Sequence, residues 1–145
     1  MRITIEGHDL PGRRFTSEGV PLANVHVAVQ EGRDPVGMVR GDAPCATWEV
    51  DVNVVPTDDG GLDLRGKAVH GKRGDRFLYL TWGEIDGDGS FDMFRRAKLM
   101  IADIDSELLA RGAGGPGLTA RVDLTDDFGC PRCARVRPPH IVWTL

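Results

Sequence analysis

Apolar and polar residues alternate with a period of two over several short stretches of this chain. Ile3 and Ile5 alternate with Thr4 and Glu6. Val25, Val27 and Val29 alternate with His26, Ala28 and Gln30, and Trp48, Val50, Val52 and Val54 with Glu49, Asp51 and Asn53. Successive side chains of a strand point to opposite faces, so each stretch predicts a strand with one dry side and one wet side. Clusters of turn-forming residues separate these stretches: EGRDPVG, GDAP, PTDDGG, HGKRGD, DGDG and GAGGPG.

RFLYLTWGEI, residues 76 to 85, is apolar on both faces. Leu78, Leu80 and Trp82 point one way, Phe77 and Tyr79 the other, which predicts a central strand covered on both sides. DGDG at 86–89 lies between two apolar runs and predicts a hairpin into a second strand at about 91–101. A helical stripe through Phe94, Ala97, Ile101, Ile104 and Leu108 is the competing pattern there. A short helix should follow from about 103 to 111, capped by Asp103 or Asp105 and stopped by Gly112. LTARVDLTD and CARVR read as two further strands, with Gly129 and Pro131 building the turn between them. The fold class expected is mainly β: one domain over residues 1–145, an antiparallel β-sandwich or partly closed barrel with one short α-helix.

Composition narrows the class of protein. The chain has 145 residues, 41% of them hydrophobic and 28% charged, the size and balance of one globular domain. Its net charge of −4 speaks against a dedicated nucleic-acid binder, although local basic patches are compatible with it. No apolar run approaches the ~20 residues of a membrane span, and the first residues carry no apolar stretch of signal-peptide length. A soluble cytoplasmic protein with no membrane and no nucleic-acid partner is the expectation. Three cysteines do not make a disulfide framework.

Few motifs carry chemistry. Cys130 and Cys133 stand in a Cys-x-x-Cys spacing, but a structural zinc site needs four ligands and only Cys45 and His140 remain as others. A redox pair would want a helix after the first cysteine, and the prolines of ARVRPP forbid one. The pair therefore reads as the tip of a hairpin and only weakly as a metal site. DGDGSFD brushes against a calcium loop, yet Phe91 and Ala97 stand where glycine and glutamate are required. HGKRGDR could cradle a phosphate through its glycine amides with Lys72, Arg73 and Arg76, or form a solvated basic loop. Cys45, at a strand start, reads as a small buried hydrophobe, since pairing with a histidine base requires contact that sequence does not show. No motif for a nucleotide cofactor, a catalytic serine elbow or a zinc-binding helix is present, so no cofactor is expected.

Arg95 and Arg96 are more informative. On a strand Arg95 shares a face with Met93, Ala97, Leu99 and Ile101, and Arg96 shares the other with Phe94, Lys98 and Met100. A guanidinium on a dry face must meet a carboxylate, such as Glu49, Asp51 or Glu84, or line a polar pocket.

The segments MRITIEGHDLPGR, NVHVAVQ, HGKRGDRFLYLTWG, MFRRAKLMI and CARVRPPHI resemble a bacterial family of small β-rich proteins that bears only a domain-of-unknown-function label. GDRFLYLTWG and RRAK are its most specific parts, and the resemblance covers most of the chain. It implies a β-rich domain with RRAK on a strand, and no activity, cofactor or catalytic residue.

Three functional readings follow. The first is a non-catalytic module that binds a small molecule or a protein partner. The second is a small enzyme or biosynthetic accessory protein with a pocket near Arg95 and Trp82, joined by Tyr79, His70, His26 and Arg76. The third is a structural or oligomerising protein, for which a homodimer is the simplest form. A cavity with convergent polar groups separates the first two from the third, which requires a large apolar patch.

Overall fold

The strands predicted from alternation form where their dry faces can meet. In the computed structural model the described residues are 1–10, 24–124 and 140–145, and the side chains of residues 94 and 95 lie outside the description. Within them run β1 (Arg2–His8), β2 (Val25–Glu31), β3 (Asp34–Arg40), β4 (Cys45–Asp51), β5 (Asn53–Pro56) and β6 (Leu62–Arg65). There follow β7 (Phe77–Ile85), β8 (Phe91–Met100), α1 (Ser106–Ala113), β9 (Leu118–Asp123) and β10 (His140–Thr144).

Two four-stranded sheets carry the fold, in the orders β10-β9-β1-β4 and β3-β2-β7-β8, with β5 and β6 as a separate ribbon. The arrangement is sandwich-like, and neither sheet closes into a barrel. One core joins them. Ile3, Ile5, Trp48, Val50, Leu118, Ala120 and Val122 come from the first sheet; Val27, Val29, Leu78, Leu80, Trp82, Ala97 and Leu99 come from the second. Each fully buried Leu or Ile stabilises the fold by about 1.5–3 kcal/mol. The Trp48 indole N–H donates to the Gly37 carbonyl and so ties edge strand β4 to edge strand β3 across the sandwich.

The hairpin after residue 85 is present. β7 and β8 pair antiparallel from Phe77↔Met100 to Ile85↔Phe91. The Asp86 N–H donates to the Ser90 carbonyl, and the Asp88 carboxylate accepts from the Ser90 N–H, which closes the turn. Ser90 thus draws both aspartates of the DGDG stretch into turn hydrogen bonds, its hydroxyl lying 3.3 Å from Asp86. β7 is central, as its two apolar faces require. Its outer face is shielded unevenly: Thr81 is fully buried, whereas Phe77 and Tyr79 remain half-exposed and are flanked by His70 and by side chains of β8.

Several expectations need correction. The sheets are not wholly antiparallel, because β1 pairs parallel with β9, from Ile3↔Leu118 to His8↔Asp123. Gly117 makes this approach feasible: its φ is +92°, and a Cβ there would lie 2.2 Å from the Arg2 carbonyl oxygen. EGRDPVG is not all turn. Only Gly32 and Arg33 turn, and Asp34–Arg40 is a strand whose Pro35 is tolerated because β3 is an edge. The helix starts where the cap predicts, with the Asp105 carboxylate accepting from the Glu107 and Leu108 N–H groups. It does not stop at Gly112. That residue stays helical and buried, because a Cβ there would fall 2.6 Å from Leu118, and Gly114 ends the helix instead. Met93 does not share the dry face of Ala97 and Leu99. The register shifts between Trp82 and Gly83, and this bulge leaves Met93 48% exposed. Cys45 is exposed rather than buried.

β9 realises the strand predicted in LTARVDLTD, and its antiparallel neighbour among the described residues is β10, with His140 opposite Asp123. The predicted CARVR strand, the Gly129–Pro131 turn, Cys130 and Cys133 lie outside the described residues. No helix among the described residues is long and apolar enough to cross a membrane.

Candidate functional site

Two concave regions lined by described residues differ in how their charges are met. The larger, about 680 Å³, lies between the β5–β6 ribbon, the 71–76 loop and the start of α1. Leu62, Leu64, Ile101, Ile104 and Leu109 make its apolar wall, and Asp59, Asp63, Arg73 and Arg76 supply its charges. Every one of these charges is answered. Asp63, whose side chain is only 4% exposed, accepts from Arg76 Nε at 3.3 Å and from Arg65 Nε at 3.3 Å. Arg76 also donates to the Gly71 carbonyl. Hydrogen bonds from Arg76 and then Arg65 hold the Asp63 carboxyl below its ordinary range against the opposing cost of burial. Asp59 accepts from the Thr57 hydroxyl and the Gly61 N–H, which lower its pKa too, and Arg73 lies 3.1 Å from it. The phosphate cradle considered for HGKRGDR therefore has two of its three cations, Arg73 and Arg76, already committed to carboxylates.

The smaller concavity, about 350 Å³, opens on the outer face of the second sheet. Its floor is β7, from which Tyr79 and Thr81 face outward; its walls are the β2–β3 turn with Gln30, Gly32, Arg33 and Pro35, and β8 with Phe91, Met93 and Arg96. Alternation along β7 places Leu78 and Leu80 in the core and so turns Tyr79 to the outside. The Arg96 guanidinium stands 4.8 Å from the Tyr79 ring centroid, and Lys98 Nζ stands 4.6 Å from that of Phe77. His70 joins this group from an isolated bridge to Phe77, with its ring 4.9 Å from Tyr79 and 5.9 Å from Phe77. Phe77 and Tyr79 meet edge to face at 4.6 Å. His70 Nε2 lies 3.1 Å from the Gln30 carbonyl oxygen. A carbonyl only accepts, so the neutral ring carries its proton on Nε2, and Nδ1 is left as an acceptor.

Among the described residues two arginines, Arg33 and Arg96, line this concavity, and no carboxylate does. Neither forms an ion pair among the described residues, whereas Arg2, Arg40, Arg65, Arg73, Arg76 and Arg121 each do. Cations over the faces of aromatic rings are attracted by the ring quadrupole, which holds Arg96 and Lys98 in place without neutralising them.

Of the residues singled out from sequence, the structure brings His70 and Tyr79 together here. Arg76 belongs to the other concavity. Trp82 is 2% exposed and packs in the core from the opposite face of β7. His26 Nδ1 lies 2.7 Å from the Asn24 carbonyl oxygen, near the far end of β2. Arg95 stands opposite Trp82 in the strand register, and its side chain lies outside the described residues. Glu49 and Asp51, considered as its partners, pair with Arg2 at 3.4 and 3.5 Å. Arg33 and Phe91 escaped sequence reasoning, and Arg96 was read only as a wet-face residue. The signal for Arg33 is its position in a two-residue turn between strands, where a side chain has no neighbour to neutralise it.

A second constellation crosses the first sheet. Cys45, His8, Asp123 and His140 are successive register neighbours on β4, β1, β9 and β10. Carboxylates already attend both imidazoles, with His140 Nδ1 at 3.6 Å from Asp123 and His8 Nε2 at 3.8 Å from Glu6. No hydrogen bond joins the Cys45 thiol to His8, so the row does not form a nucleophile–base pair, which needs roughly 2.6–3.2 Å. Among the described residues no group of three or more His, Cys, Asp or Glu side chains is arranged to hold a metal ion.

Compared with known proteins, the chain belongs to DUF5990, a family of unknown function, with a match spanning residues 1–145. No curated protein and no solved structure matches it.

Proposed function

We propose that the protein is a non-catalytic binding module that takes a small anionic ligand on the outer face of its second sheet. One observation carries the reading: Arg33 and Arg96 flank a concavity of about 350 Å³ whose described lining residues include no carboxylate. A cation left without a counter-ion at a concave surface focuses potential and attracts anions. The volume falls in the range of small-ligand sites, roughly 300–1,000 Å³. His70 is the one imidazole among the described lining residues, and backbone already holds its Nε2. This favours recognition over acid–base chemistry. The oligomerising alternative draws less support, since the exposed large hydrophobics Met38, Met93, Val142 and Leu145 are spread over β3, β8 and the C-terminal residues.

The test is calorimetric titration of the protein with ribose 5-phosphate. Saturable binding is expected, weakened about ten-fold by Arg96→Gln and similarly by Arg33→Gln, as loss of one charge-assisted hydrogen bond implies. No saturable binding, or binding indifferent to both substitutions, overturns the proposal.

A further inference from the structure

We infer that the anion this site takes is carried on a planar aromatic ring, as in a nucleoside monophosphate; the inference rests on the anion-binding reading above and names the ligand's chemistry. Two arginines suffice for an anion alone, but the concavity holds more than arginines. Its floor presents the Tyr79 ring, with His70 beside it at 4.9 Å, and Phe91 stands in its wall. A phosphate or sulfate has no use for such surface, whereas a heterocycle stacks on it. Arg96 supports the same conclusion. Its guanidinium lies 4.8 Å from the Tyr79 centroid, and a guanidinium over a ring can stack on one planar group while donating to an anion at its edge.

His70 adds polar discrimination. With Nε2 committed to the Gln30 carbonyl, its Nδ1 has a free lone pair and calls for a donor. The exocyclic amino group of adenine or cytosine is such a donor; a carboxylate or a fully ionised phosphate monoester group is not. Arg33 stands in the β2–β3 turn and Arg96 on β8, on opposite walls of the concavity, while Tyr79 lies on β7 between those strands. A ring stacked on the Arg96 guanidinium that covers Tyr79 would still lie in the concavity that Arg33 lines, within reach of its charge.

The experiment compares adenosine monophosphate, ribose 5-phosphate and adenosine by calorimetry on the full chain. Adenosine monophosphate should bind about ten- to hundred-fold more tightly than ribose 5-phosphate, the factor that one base–aromatic stack contributes. Adenosine should bind more weakly than the monophosphate. Tyr79→Leu should lower the affinity for adenosine monophosphate more than that for ribose 5-phosphate and so narrow the gap between them, and Tyr79→Phe should retain the difference. Tyr79→Phe guards against a Tyr79→Leu variant that does not fold. Equal affinity for adenosine monophosphate and ribose 5-phosphate overturns the ring inference and leaves the anion site standing. Absence of binding by both phosphates overturns the two together.

Discussion

The concavity beside α1 and the one on the second sheet are both lined by arginines, yet they differ in what faces them. Beside α1, Arg73 meets Asp59 and Arg76 meets a nearly buried Asp63. On the second sheet, Arg33 and Arg96 meet no acid among the described residues, and Arg96 rests over an aromatic ring. Charges neutralised inside the fold serve its stability, because a buried carboxylate without a partner is costly. Charges left open at the surface contribute little to stability and are available to a ligand. The larger volume is thus the poorer candidate. Size alone would have selected the region whose polar groups are already satisfied.

The comparison breaks first, if it breaks, at Arg76. Arg76→Ala leaves Asp63 with Arg65 alone. We expect a loss of about 2–3 kcal/mol in urea unfolding, less than the about 3–5 kcal/mol of a fully buried pair because Arg65 remains. Ligand titrations on the second sheet should be unaffected; a parallel loss of binding would show that the two regions are one. The next effect is an acid one. The Asp63 pKa is depressed in the folded state, chiefly by Arg76, so the stability it contributes is present above the unfolded value of about 3.9 and is lost as pH falls through the lower folded value. Urea midpoints of the wild type should therefore fall on acidification below about pH 4. In Arg76→Ala that decline should be shallower, and an identical slope would remove Asp63–Arg76 from the account.

On the other side of the comparison, Arg96→Gln should cost no more than about 0.5–1 kcal/mol, the value of an exposed cation–π contact. It should nonetheless remove most anion binding. A cost as large as that of Arg76→Ala would make Arg96 a structural residue. The smallest stability effect should come from salt. Raising ionic strength from about 0.15 to 1 M shortens the screening length from about 8 to 3 Å, which should weaken anion binding several-fold while moving the urea midpoint little. Salt-insensitive binding would mean that the open arginines do not drive it.

How far the sequence announced this arrangement depends on the range of the forces involved. Ile3, Ile5, Val27, Val29, Leu78 and Leu80 were legible as core because a strand's period of two is a local property, and all are at most 1% exposed. The 86–90 turn and the Asp105 cap were legible for the same reason. The helix end was not, because Gly112 is held helical by packing against Leu118, six residues beyond it. The β1–β9 pairing was not, since nothing local in either strand records a partner more than a hundred residues away. In the site, Tyr79 was legible as an outward-facing residue of the strand at 76–85, and His70 only as one of several candidate pocket residues. Arg33 did not, because its significance comes from a β8 that only the folded sheet brings near. Met93 was assigned to the wrong face through a bulge that no alternation pattern encodes.

The parallel pairing of β1 with β9 also governs the order in which the molecule can assemble. The second sheet draws all its strands from residues 25–100, with β2–β3 and β7–β8 joined by tight turns. Hairpins of this kind close quickly because their ends are near in sequence. The first sheet has no such economy. Its β1 must wait beside β4 until β9 and β10 arrive from the other end of the chain. On a ribosome that delivers roughly 5–20 residues per second, this leaves one side of β1 open for seconds after the second sheet's strands have been made. An open strand edge in that interval is a template for pairing with another nascent chain. The face that carries the arginines would then be formed early and the face that seals the core late, so that during synthesis exposure to aggregation belongs to one sheet and ligand capture to the other.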